Sequence, residues 1–89
     1  MPRIKVVPRF KKAYKRLPPP VQAAAQKALR TLIDNPRNRG LNLEALSGRP
    51  GSYSIRVNRN YRILLQRKED QEGEFFSVED VDTHDIYNR

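Results

Sequence analysis

The spacing of apolar residues switches period along this chain, and only a mixed α and β fold satisfies both patterns. Phe10, Ala13, Tyr14 and Leu17 fall at i, i+3, i+4 and i+7, with Lys11, Lys12, Lys15 and Arg16 between them. That is the apolar stripe of an amphipathic helix with a basic outer surface. Pro18-Pro19-Pro20 stops it, and the last proline suits the first turn of a following helix. Val21, Ala24, Ala25, Ala28, Leu29, Leu32 and Ile33 form a second stripe through an alanine-rich stretch of high helix propensity. Asp34-Asn35-Pro36 ends that helix. So short a break between helices predicts a helical hairpin.

From Tyr53 the period becomes two. Tyr53, Ile55 and Val57 share one face, with Ser54 and Arg56 opposite, and Tyr61, Ile63 and Leu65 continue the apolar face beyond Asn58-Arg59-Asn60. Asparagine suits such a turn because it tolerates positive φ. After a polar loop at 68–73, residues 74–82 read as a third strand carrying Phe75, Phe76, Val78 and Val81. The β-branched run Arg3–Val7, closed by Pro8, reads as a fourth, at an edge. Residues 37–51 read as irregular, anchored by Leu41, Leu43 and Leu46. The predicted order is β-α-α-β-β-β in a single domain, residues 1–89. The fold class is α+β: an N-terminal helical hairpin on one face of a small twisted, mainly antiparallel sheet whose other face is open.

Keeping every apolar residue of the hairpin on one face pairs Val57 with Tyr61, Arg56 with Arg62 and Ile55 with Ile63. Two guanidiniums then stand directly opposite, at a cost of a few tenths to about 1 kcal/mol. Extending the meander pairs Leu65 with Phe76 and Ile63 with Val78, which brings Glu79 beside Arg62 as a neutralising carboxylate. A phosphate between the two arginines would exploit the same pair.

Charge sharpens this expectation. The net charge is +8, but residues 1–68 hold 17 of the 18 Lys and Arg against two acids (+15), and residues 69–89 hold eight acids against Arg89 (−7). A polyanion, nucleic acid foremost, is the expected partner of the basic part, and the acidic tail can fold back on it. Twelve of the 18 cations are arginine, which favours bidentate phosphate contacts. With no cysteine and one histidine, disulfides and a structural zinc site are not expected. No apolar stretch near the start reads as a signal peptide or membrane span, so a cytoplasmic location and no membrane partner are expected.

The one histidine, His84, stands three residues before Tyr87 at the chain's end. Guanidiniums, an imidazole and a phenol are the parts needed for attack of a ribose 2′-hydroxyl on the adjacent phosphate. One group takes the 2′ proton, cations stabilise the phosphorane, and another group protonates the leaving 5′ oxygen. Histidine titrates near working pH and can serve at either end, arginine stays charged on the phosphorane, and tyrosine can donate, stack or position. No metal or other cofactor is required. Each signal also has an ordinary reading: a solvated histidine, arginines paired with nearby acids, and tyrosines in the core.

The segment Leu46-Ser47-Gly48 before Tyr53-Ser54-Ile55-Arg56-Val57, the strand Asn60-Tyr61-Arg62-Ile63-Leu64 and the ending Val81-Asp82-Thr83-His84-Asp85-Ile86-Tyr87 resemble the RelE/ParE superfamily of bacterial and archaeal toxins. The resemblance covers nearly the whole chain. It implies a type II toxin neutralised by a cognate antitoxin, reaching operator DNA only through that antitoxin. In the RelE-like branch it implies an endoribonuclease that cuts mRNA on the ribosome. Arg56, Arg62, His84 and Tyr87 match the catalytic face, and Glu44 stands where some members keep a general-base glutamate. Lys11, Lys12, Lys15 and Arg16, with Arg59, are the expected grip on RNA backbone. The ParE-like branch instead poisons DNA gyrase and generally lacks the histidine-containing site, and a third alternative is an inactive toxin retained as a co-repressor.

Overall fold

The computed structural model describes residues 3–83. Strand β1 (Arg3–Val6) leads into helix α1 (Pro8–Lys15), and α2 (Pro19–Asp34) follows after one turn. Both Pro19 and Pro20 sit in the first turn of α2, where no amide donor is needed. A 3-10 turn at Arg39–Leu41 precedes the two-residue strand β2 (Glu44–Ala45), then β3 (Ser52–Arg56), β4 (Tyr61–Asp70) and β5 (Gly73–Thr83). The five strands form one sheet in the order β1-β5-β4-β3-β2, with β1 parallel to β5 and the other pairs antiparallel. The expected architecture is present, with β1 at an edge. The stretch expected to be irregular contributes an extra edge strand.

Helices and sheet meet in one core. Phe10 of α1 and Ala25, Ala28 and Leu32 of α2 pack with Leu41, Ile55, Ile63, Leu65, Val78 and Val81. The buried alanines let α2 lie close to the strands. Each fully buried Leu, Ile or Val contributes about 1.5–3 kcal/mol, so a few of them match the whole net stability of a small domain. The helices are tied to each other through Tyr14, whose carbonyl accepts from Gln22 at 3.0 Å and whose hydroxyl accepts from Gln26 at 2.5 Å. No helix among the described residues is long and apolar enough to cross a membrane.

The β3–β4 register is the expected one, with Ile55 opposite Ile63 and Arg56 opposite Arg62. Its turn works differently from the expectation. Asn58 accepts from the amides of Asn60 and Tyr61 through its side chain, both at 2.9 Å, and has no positive φ. The β4–β5 register corrects the prediction. Leu65 pairs with Val78 and Ile63 with Val81, across an irregularity between Leu64 and Leu65. Glu79 is the extra residue of this bulge, which lets Val78 and Val81, three apart in sequence, both reach the core. Asp82, not Glu79, therefore lies opposite Arg62. The predicted polar loop at 68–73 is instead a tight turn: Asp70 accepts from the Glu72 amide at 2.8 Å, and Gly73 (φ 114) adopts a backbone that side chains disfavour.

Candidate functional site

Four strand ends meet where the sequence places its arginines. Glu44 pairs with Ser54, Arg56 with Arg62, and Arg62 with Asp82, so β2, β3, β4 and β5 present these residues side by side. Alternation puts Glu44, Ser54, Arg56 and Arg62 on the sheet face opposite the core residue Ile55. Thr83 pairs with Tyr61 at the same end. His84 and Tyr87 lie outside the described residues.

Arg62 is buried, at 4% exposure. Its Nε donates to Ser54 Oγ at 3.0 Å, and its Nη2 donates to the Asn42 carbonyl at 2.7 Å and the Ser54 carbonyl at 3.3 Å. The Glu44 carboxylate stands 3.8 Å from Nη2. A buried guanidinium is tolerable only when its donors are used and a counter-charge is near, and both conditions hold. Asn42 can offer its carbonyl because it takes a left-handed conformation (φ 48, ψ 53), which asparagine adopts more readily than most residues.

Arg56 has the opposite character. It is exposed, and its Nε donates a long hydrogen bond to the Asn58 carbonyl, 3.4 Å. Ser54 and Asn58 lie on either side of Arg56 along the strand, so the two guanidiniums reach toward opposite ends of β3. This divergence and the Glu44 carboxylate beside Arg62, rather than the expected Glu79, offset the like-charge contact. Glu79 instead accepts from the Ser77 hydroxyl. The outcome is one guanidinium fixed in place and one turned to solvent at the same corner.

Among the described residues, three acids of the last quarter make ion pairs at the far end of the sheet. Asp70 meets Arg3 at 2.7 Å and Lys5 at 2.8 Å, Arg3 also meets Glu72 at 3.2 Å, and Arg67 meets Glu74 at 2.5 Å. The hydrogen bonds from Arg3 and then Lys5 hold the Asp70 carboxyl well below its usual range, and Asp70 in turn raises Arg3. Phe75 adds a ring under both cations, with Lys5 Nζ 4.5 Å from its centroid. These pairs neutralise the β4–β5 hairpin end, while Asp80, paired with Arg9, and Asp82, opposite Arg62, lie toward the arginine end.

The predicted RNA-contacting residues do not form one surface. Lys11 and Lys15 rim an apolar groove with Val6, Phe10, Tyr14 and Leu29. Arg16 lines a separate cleft with Tyr61, Asp80 and Asp82, at the arginine end of the sheet. Lys12 is exposed on α1, and Arg59 is exposed in the β3–β4 turn. Sequence reasoning missed Ser54 and Asn42, which hold Arg62, and Lys27, which lines a cleft with Arg56. Ser54 was readable as a polar residue facing away from the core, whereas the Asn42 carbonyl carries no signal in residue type. Among the described residues, no cluster of three or more metal-ligating side chains exists.

Solved structures share the architecture. A YoeB/ParE toxin from Agrobacterium tumefaciens superimposes with a TM-score of 0.72 at 15% identity, covering 92% of this chain and 98% of that one. A chain of the RelBE2 toxin–antitoxin complex from Mycobacterium tuberculosis gives 0.70 at 24% identity, covering 94% and 100%. A chain of the intact RelBE toxin–antitoxin complex from E. coli gives 0.68 at 23% identity, covering 93% and 96%. No curated protein sequence matches the chain significantly. At the level of sequence families, residues 19–89 match the ParE-like toxin domain.

Proposed function

Since the chain belongs to the ParE-like toxin domain family, within the RelE/ParE superfamily of type II toxins, we propose that it is an endoribonuclease that cuts mRNA on the ribosome. The observation that carries this reading is the corner where an anchored and an exposed arginine face each other across β3 and β4, with Glu44 against the anchored one. Arg56 is free to clamp the scissile phosphate, and Arg62 supplies a fixed positive charge behind it. The 2′ oxygen attacks phosphorus and the bond to the 5′ oxygen breaks, leaving a 2′,3′-cyclic phosphate and a 5′-hydroxyl. Glu44 or His84 takes the 2′ proton, His84 or Tyr87 delivers one to the leaving oxygen, and no step needs a metal. A cognate antitoxin neutralises the toxin by covering this basic corner, and toxin and target meet in the cytoplasm. Two of the similar structures come from toxin–antitoxin complexes, which supports the antitoxin partner.

The match to a ParE-like domain favours one competing reading, a gyrase poison without nuclease activity. Against it stands His84 with Tyr87, since the gyrase-directed branch generally lacks the histidine-containing site. The test is to express the wild type, Arg56→Ala and His84→Ala in cells, map mRNA ends and assay DNA supercoiling. In-frame mRNA cuts that vanish in His84→Ala and fall in Arg56→Ala support the nuclease. Intact mRNA with gyrase-dependent DNA cleavage refutes it.

A further inference from the structure

Among the described residues, Arg3, Lys5 and Arg67 make ion pairs at the hairpin end, Arg9 pairs with Asp80, 3.2 Å apart, and Arg62 with Glu44. Lys27 and Arg56 are different. Neither has an acidic partner among the described residues, and both line one cleft of about 450 Å³ between α2 and the 38–41 segment. No acid lines that cleft. Its size falls in the range of small-ligand sites, and the two cations have no internal charge to offset them. Asn38 also lines it and uses its side-chain oxygen on the Gly40 amide at 2.8 Å, which leaves the side-chain amide as a donor.

Arg56 belongs to two places at once. It stands opposite Arg62 on the sheet and also lines the α2 cleft. Arg56 therefore joins the candidate site to the cleft that Lys27 also lines. We propose that this cleft is a second phosphate subsite, in which Lys27 holds the backbone of single-stranded RNA flanking the phosphate bound at Arg56. The proposal rests on the nuclease reading for its substrate, but its binding step can be tested apart from cleavage.

Lys27 is exposed in the middle of α2, so alanine there is compatible with the helix. The probe is a short 2′-O-methyl RNA, which cannot undergo 2′-hydroxyl attack, titrated with wild type, Lys27→Ala, Lys27→Arg and the charge-matched control Lys68→Ala. Lys27→Ala should weaken binding on the order of five-fold and reduce the slope of log affinity against log salt by about 0.7, the loss of one single-strand phosphate contact. Lys27→Arg should restore both, and Lys68→Ala should change neither. In the cleavage reaction, Lys27→Ala should raise KM and leave kcat nearly intact. If Lys27→Ala behaves like Lys68→Ala while the wild type still cuts mRNA, the subsite is refuted and the nuclease stands. If binding depends on Lys27 but no mRNA is cut, the subsite stands and the nuclease reading falls.

Discussion

Replacing Arg62 tests whether the anchored guanidinium is held as the structure describes. Arg62→Met keeps most of the stem and removes the donors to Ser54 Oγ, the Ser54 carbonyl and the Asn42 carbonyl. Each buried acceptor left without its donor costs about 1–3 kcal/mol. Removing a buried charge returns part of that, because its desolvation cost of several kcal/mol disappears as well. The net loss should be about 1–4 kcal/mol. Ser54→Ala leaves Nε without its acceptor and should cost about 1.5–3 kcal/mol, as expected for a bond to a charged group. The two changes remove the same contact, so the double variant should be less destabilised than their sum, with a coupling of about 1–2 kcal/mol. Urea unfolding of the four proteins at one pH measures this, provided the slope m stays constant. Coupling below about 0.5 kcal/mol, with Ser54→Ala as stable as wild type, would refute the buried network. The result also bears on function, since a destabilised Arg62 variant loses activity whether or not Arg62 touches RNA. Arg56, being exposed, should change stability by less than about 0.5 kcal/mol on replacement by alanine and is the cleaner probe.

Other expectations follow from the loop and the hairpin. Asn42→Ala should destabilise by about 1 kcal/mol because a Cβ-bearing residue without a local polar group resists the left-handed backbone, whereas Asn42→Gly should be nearly neutral, both read from unfolding midpoints. Asp70 is held below its ordinary range by Arg3 and Lys5, so its contribution is complete above the unfolded carboxyl value near 4 and fades as pH falls below it. Asp70→Asn should therefore lower Tm at pH 7 by a margin that shrinks below about pH 4, and a margin constant with pH would contradict the ion pair.

Much of the fold was legible in the sequence because burial demands it. The β3–β4 register follows from keeping Tyr53, Ile55, Ile63 and Leu65 on one face, and a one-residue slip would expose them all. The bulge was not read, although its trace is there: Phe76 and Val78 keep period two and Val81 breaks it. Strand β2 was invisible, since two exposed residues, Glu44 and Ala45, carry no apolar pattern. At the site, alternation assigned Arg56 and Arg62 to one face. It could not show that Arg62 turns to backbone carbonyls, because the Asn42 carbonyl that fixes it depends on a left-handed residue in a loop without periodicity. Lys27 went unnoticed for a related reason: its position is an ordinary exposed helix site until the 38–41 segment is placed beside it.

Attack by a ribose 2′-hydroxyl can be checked on translated mRNA carrying a single 2′-deoxy nucleotide on the 5′ side of a mapped cut. With purified toxin and programmed ribosomes, cleavage should be lost at that position alone. Cuts elsewhere should carry a 2′,3′-cyclic phosphate and a 5′-hydroxyl. Cleavage that persists at the deoxy position, or mRNA left whole while DNA gyrase is poisoned, would rule out 2′-hydroxyl attack by this toxin.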